Sequence, residues 1–184
     1  MEDFKDLQEV KTGSQEIFDG VILHVFKDTV RLPNGNSAIR EVIRHVGAVG
    51  VIPVTEDGKV IIERQFRYPL NRIVTEIPAG KLDSLTEDRL SAAKRELEEE
   101  TGYTAKEWIE LGDFIPTCAY CDERITLYLA RGLELGTRHL DEDEFLNFEA
   151  VPLADLVEQV MDGTITDGKT QVAILKVARI LKKL

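Results

Sequence analysis

The stretch Gly80-Lys81-Leu82-Asp83-Ser84-Leu85-Thr86-Glu87, continuing through Arg95-Glu96-Leu97-Glu98-Glu99-Glu100-Thr101-Gly102-Tyr103, decides how this chain is read. A glycine-containing loop leads into a predicted helix. Carboxylates crowd the last turns of that helix before Gly102 stops it. The C-terminal end of a helix carries partial negative charge and favours Lys or Arg. Acids gathered there break a local rule with no compensation visible in the sequence, and such breaks mark functional sites. A divalent cation is the simplest compensation.

With successive residues turned by about 100°, Leu90, Ala93, Leu97 and Thr101 share a side that should face the core. Glu96, Glu99 and Glu100 occupy an adjoining arc, with Glu96 and Glu100 one turn apart. Ala92 and Ala93 are expected to leave room there for a ligand. Glu98 lies on the far side, where it can pair with Lys94, and is excluded as a ligand. The plain alternative is a solvated acidic face paired with Lys94 and Arg95. Hard oxygen donors on one arc suit Mg²⁺ or Mn²⁺ instead, and the absence of His and Cys from the cluster argues against zinc.

The chain has 184 residues, which suits one domain with a small appendage. Its 43% hydrophobic content excludes global disorder. A formal net charge of -11 opposes binding to nucleic-acid backbones but not to a phosphorylated small molecule, since a metal can bring positive charge. No apolar run reaches bilayer length, and the acidic start Met1-Glu2-Asp3-Phe4-Lys5-Asp6 lacks a signal peptide's apolar stretch. A cytoplasmic location is therefore expected. Cys118 and Cys121, spaced as Cys-Ala-Tyr-Cys, have no second pair to complete a structural zinc site and precede a strand-like run rather than a helix. They read as two reduced thiols in a loop.

The first part of the chain reads as a small antiparallel unit: a strand from Ile17 to Phe26, another at Val30 to Leu32, the turn Pro33-Asn34-Gly35-Asn36, and a strand from Ala38 to Val46. Gly47 to Val54 is nearly all apolar, as a strand buried on both faces requires. Strands are expected over Lys59 to Arg67, Val74 to Ile77, Lys106 to Phe114, Ile125 to Arg131 and Phe145 to Val151. Helices are expected after Pro78-Ala79-Gly80, over Leu153 to Met161 and over Lys169 to Leu184. The first of these has Ser84 with Glu87, or Thr86, as its predicted N-cap. Strands mixed with a few helices predict an α+β chain or an α/β/α sandwich. The expected division is a β unit over 1–46 and the main domain over 47–184. His24, His45 and His139 form no cluster in sequence and read as structural or exposed; Trp108 and Phe114 read as core.

The spacing Glu87, seven residues, Arg95-Glu96-Leu97-Glu98-Glu99-Glu100-Thr101-Gly102 resembles the signature of the Nudix hydrolases. Two departures are visible: six residues rather than five separate Gly80 from Glu87, and aromatic Tyr103 takes an aliphatic slot. The resemblance implies an α/β/α sandwich around a mixed sheet and Mg²⁺-dependent hydrolysis of a nucleoside diphosphate linked to another moiety. It implies that Glu96, Glu99 and Glu100, with the carbonyl of Ala79, hold metal, that Arg95 orients the carboxylates, and that Glu87 supports the helix or a further metal.

Beyond the signature, Arg40-Glu41-Val42, Glu63-Arg64-Gln65-Phe66-Arg67-Tyr68-Pro69, Glu76-Ile77-Pro78-Ala79-Gly80-Lys81, Asp141-Glu142-Asp143-Glu144-Phe145 and Ile165-Thr166-Asp167-Gly168-Lys169-Thr170 are similar to the ADP-ribose pyrophosphatase branch. Cys118 and Ala119 stand where that branch usually has Pro-Gly. The branch implies a homodimer through the N-terminal strands, Glu142 as general base with Glu144 as competitor, and Arg40, Arg67 and Glu76 as substrate-binding residues. Arg40 would come from the partner subunit. The expected products are AMP and ribose 5-phosphate. Competing readings are a Nudix hydrolase of another nucleotide sugar or dinucleoside polyphosphate, and a nucleotide-sensing Nudix domain without activity.

Overall fold

Three antiparallel strands, β1 (Val10–Asp19), β2 (His24–Arg31) and β3 (Ser37–Arg44), form a sheet in that order. The computed structural model describes residues 4–139 and 145–182. The single strand expected from Ile17 to Phe26 is broken: Gly20 N–H donates to Leu23 O at 2.9 Å, and the turn it closes separates β1 from β2. The apolar run Val21-Ile22-Leu23 looked like strand, yet all three residues are exposed, so their apolarity does not serve this chain's own core. The Pro33-Asn34-Gly35-Asn36 turn joins β2 to β3, with Gly35 at φ 87, where a side chain would be strained. Within this sheet Asp28 is buried, accepting from Ser14 Oγ at 2.5 Å and Arg44 Nη2 at 2.9 Å. The first of these bonds chiefly holds its carboxyl below the ordinary range.

The segment Thr117–Glu123 belongs to the same compact unit as Met1–Val46. Ile43 N–H donates to Tyr120 O at 2.7 Å, and the Asp122 carboxylate accepts from His45 N–H at 2.8 Å. Cys118 is exposed and Cys121 half-buried, and both are free thiols.

The second unit, Gly47–Pro116 with Arg124–Leu184, carries a seven-stranded mixed sheet among the described residues. Its strands are β4 (Ala48–Val54), β5 (Lys59–Arg67), β6 (Arg72–Glu76), β7 (Ala79–Lys81), β8 (Tyr103–Phe114), β9 (Ile125–Leu135) and β10 (Leu146–Pro152). The order is β10-β5-β4-β9-β8, with β4 parallel to β9 and the other pairs antiparallel. Every residue of β4 is buried, as its apolar run predicts. Alternate residues point to opposite faces. Ile52 of β4 and Leu127 of β9 pack with Leu156 of α2 (Leu153–Met161) and Ile174 of α3 (Gly168–Ile180). The other face meets α1 (Arg89–Thr101), whose Arg89 Nη1 reaches Thr126 Oγ1 at 3.0 Å. The result is the expected sandwich of helices around a mixed sheet.

Strands β4 and β5 share a single pair, Val54 with Val60. Beyond it β7 takes the freed length of β4, and β6 takes the freed length of β5. The three-residue β7 was not legible as a strand. Its Ala79-Gly80 looked like a loop, but Gly50 and Val49 of β4 face it directly.

The start of α1 also differs from expectation. Asp88 is the N-cap, accepting from Ser91 N–H at 2.8 Å, rather than Ser84 or Thr86. The extra residue before Glu87 is accommodated in a turn closed by Glu87 N–H on Ser84 O at 3.2 Å, with Leu85 exposed. Ala92 and Ala93 do not leave open space beside the acids: both are wholly buried in the packing of α1. Gly102 ends the helix at φ 75, its N–H on Glu98 O at 2.8 Å.

Candidate active site

Strand β7 and helix α1 lie against each other, and that contact builds the acidic site. Gly80 sits where the Glu96 carboxylate approaches: a Cβ on residue 80 would lie 2.1 Å from the carboxylate carbon. Glycine is therefore required by close approach. One position along, Ala79 N–H donates to Glu100 Oε2 at 2.9 Å. Glu96 and Glu100 are buried and Glu99 is half-buried.

Arg95 organises the remaining charge. Its Nη1 donates to Glu96 Oε1 at 2.8 Å and to Glu99 Oε2 at 3.0 Å, and its Nη2 lies 3.5 Å from Glu87 and 3.8 Å from Asp83. Burial alone would lower this guanidinium; Glu96, Glu99 and Asp83 outweigh it and push it further up. Glu87 fixes the loop before the helix, accepting from Asp83 N–H at 2.6 Å.

A cavity of about 350 Å³ opens over this array, lined by Gly80, Lys81, Asp83, Arg95, Glu96 and Glu99, with His139. His139 read as structural or exposed; it is exposed, but it belongs to the cavity wall. Its backbone N–H donates to Glu99 O at 3.1 Å, tethering the segment that leads toward the acidic run. That tether joins residues far apart in sequence, so no local pattern announced it. Glu142 and Glu144 lie outside the described residues.

A second charged group forms along β5 and β6. Arg67 donates from Nε and Nη2 to the two oxygens of Glu76, at 2.6 and 2.9 Å. Lys169, at the start of α3, also pairs with Glu76 and lies 3.1 Å from Asp167. Burial works to raise the Glu76 carboxyl; the bonds and charges of Arg67 and Lys169 outweigh it and hold it below the ordinary glutamate range. The bond to Glu76 chiefly pushes Arg67 up. Glu63, directly opposite Glu76 in the β5–β6 register, is a second buried carboxylate. Neither Lys169 nor Glu63 was singled out from sequence. Arg40 lies in the other unit, on β3, and pairs with Glu9.

Among the described residues, no three acid, imidazole or thiolate groups already form a metal cage. The donor chemistry nevertheless fits a hard divalent cation: the available groups are carboxylates on adjacent turns beside the β7 backbone. Arg95 now supplies the positive charge that Glu96 and Glu99 require.

A sandwich fold with this helix and loop defines a class of phosphohydrolase, and comparison with known proteins agrees. The NUDIX domain model matches residues 44–170, and the model of the nucleoside diphosphate sugar hydrolase N-terminal domain matches residues 9–43. The chain belongs to the Nudix family. It is 42% identical to an ADP-ribose pyrophosphatase of Bacillus subtilis (strain 168), with 92% of each chain covered. It is 38% identical, with the same coverage of 92% of each, to a methanol dehydrogenase activator of Bacillus methanolicus. A solved structure titled as an ADP compounds hydrolase superposes with a TM-score of 0.83 over 96% of both chains at 22% identity, which supports the fold. Nudix hydrolases generally need a divalent metal.

Two outcomes follow from this geometry. Gly80→Ala will push the Glu96 carboxylate aside while the fold survives, because the obstructed atoms end a flexible side chain. Divalent-cation affinity, read by Mn²⁺ electron paramagnetic resonance, should fall about 10–100-fold, as for lost supporting contacts. Glu76→Gln should lower the melting temperature near neutral pH, because a depressed carboxylate contributes stability above its unfolded pKa of about 4.3. The gap from the parent protein should close as pH falls through the depressed folded value, which thermal melts across the acid range will show.

Proposed function

We propose that this chain hydrolyses the diphosphate bond of ADP-ribose to AMP and ribose 5-phosphate, with Mg²⁺ as its metal and Mn²⁺ as a substitute. The observation that carries this reading is the approach of Glu96 to Gly80 beside Glu99 and Glu100. It gathers two buried acids and a half-buried one against a backbone edge at the mouth of a cavity. A bound divalent cation would neutralise phosphoryl oxygens and polarise the diphosphate.

The chain's own residues do the rest. Glu96, Glu99, Glu100 and the Ala79 carbonyl would hold the metal. Arg95 keeps the carboxylates oriented, and Arg67 would bind the diphosphate while Glu76 fixes its guanidinium. Water adds its oxygen to one phosphorus, the bridging P–O bond breaks, and the water proton passes to a general base. We assign that base to Glu142, with Glu144 as the alternative. Positioning and electrostatics dominate such transfers.

We also propose a cytoplasmic homodimer formed through the N-terminal unit. Every residue of β1 is exposed, including Ile17 and Phe18, each 55% exposed, and Val21 and Ile22 follow in the turn. Several large apolar side chains exposed within one short segment are what a partner surface would cover. In the dimer Arg40 of one protomer would reach the partner's nucleotide.

Product analysis in ¹⁸O-labelled water with ADP-ribose should yield AMP and ribose 5-phosphate, one of them labelled. Glu100→Gln should abolish turnover with the fold retained. Glu142→Gln should slow turnover about 100-fold or more while metal binding persists. Full activity of Glu142→Gln alongside an inactive Glu144→Gln would reassign the base. Intact substrate after incubation with metal and parent protein would leave a nucleotide-sensing role.

Light scattering on the intact chain should give twice the protomer mass. Charged replacements at Ile17 and Phe18 should return the single mass.

A further inference from the structure

We propose that Lys169 is a positioning residue for substrate capture, a fixed counter-ion that holds Glu76 so that Arg67 can turn to the diphosphate. The inference rests on the reading of Arg67 as a diphosphate ligand.

Lys169 is locally misplaced twice. It lies in the first turn of α3, the positive end of the helix dipole, where a cation is disfavoured. It is also 7% exposed, and lysine is rarely buried unless paired. Both costs are borne to bring its ammonium to Glu76, with Asp167 on its other side. Asp167 is itself fixed, capping α3 by accepting from Thr170 N–H at 2.9 Å and Thr170 Oγ1 at 2.6 Å. Thr170 Oγ1 in turn accepts from Ile77 N–H at 2.9 Å, which locks this corner of α3 to the end of β6.

The two cations on Glu76 differ in freedom. The Arg67 side chain is 42% exposed, whereas those of Lys169 and Glu76 are 9% and 6% exposed. Arg67 ends β5 and can exchange a carboxylate for a phosphate on its open side. Lys169 has nowhere to go. When Arg67 turns to substrate, a buried Glu76 with no other counter-ion would face uncompensated desolvation beside an incoming polyanion. Lys169 prevents that. A simple strut would stabilise the fold without this bearing on substrate affinity.

The test is steady-state kinetics with ADP-ribose on the full chain, with melting temperature recorded alongside. Lys169→Met keeps length and apolar bulk; KM should rise about tenfold and kcat stay within about twofold, the split expected when binding alone is weakened. Lys169→Arg should recover most of the loss. Asp167→Asn retains the capping oxygen, which Lys169 also meets, but removes the negative charge that competes with Glu76 for the ammonium, so its KM should fall. A lower melting temperature with unchanged KM in Lys169→Met makes Lys169 a strut and overturns the proposal. If Lys169→Met does not fold, an unchanged or higher KM in Asp167→Asn overturns it equally. Arg67→Gln separates the two readings. If it raises KM while Lys169→Met does not, only this inference falls; if it leaves KM unchanged, the diphosphate role of Arg67 falls and this inference with it.

Discussion

Like charge gathered at the negative end of a helix must be offset by something, and the architecture around α1 is arranged to offset it. Glu96, Glu99 and Glu100 would repel one another and the helix carbonyls if left alone. Arg95 engages the first two, and the Ala79 N–H engages the third. Gly80 gives the Glu96 carboxylate a place to lie. The helix cannot move from β7 without giving up the Ala79 bond to Glu100 and the seat of Glu96 on Gly80, so the fold and the chemistry share one contact.

That contact exists because the central sheet divides. After the single Val54–Val60 pair, β4 and β5 accept different partners, and the chain inserts β6 and β7 between them. The division brings two sets of charges to the same part of the unit. One is the α1 array beside β7. The other is the group of Arg67, Glu76 and Lys169 where β5 and β6 meet α3. The charge of Glu100 acts on Arg67, which couples the two sets. Glu63 opposite Glu76 adds a further buried acid, so cations at this corner answer an excess of carboxylate.

Much of this was legible in the sequence, for identifiable reasons. The acids of α1 and its glycine stop repeat at helical spacing, and the apolar run of β4 admits little but a buried strand. Elements defined by distant partners were hidden. β7 is a strand only because β4 faces it, and a three-residue segment carries no periodicity of its own. Asp88, not Ser84 or Thr86, is the cap because Ser84 closes the preceding turn by accepting from Glu87 N–H, and the first turn of α1 presents Ser91 N–H to Asp88. His139 reaches the cavity through a backbone bond to Glu99, and Lys169 reaches Glu76 across the unit; the segment around Lys169 carried the family resemblance, but nothing in it showed that Glu76 was the partner. Val21-Ile22-Leu23 misled because apolarity in a turn looks like apolarity in a strand.

The parallel pairing of β4 with β9 sets an order on how the chain can be built. The β1–β2–β3 hairpins close between near neighbours, so they can form while synthesis is still under way. One edge of β4 can take β5 and β7 early, but its parallel edge must wait: Ala48 meets Ile125 only after α1 and β8 have been made. Until then its unbroken apolar run is an open invitation to wrong partners, because long-range parallel pairing is slow and exposed to aggregation. The first unit waits as well, since Thr117–Glu123 closes against β3 only late in the chain. A ribosome stalled before β9 would therefore carry a main sheet whose parallel β4 edge is still open, and chaperone demand should peak at that length.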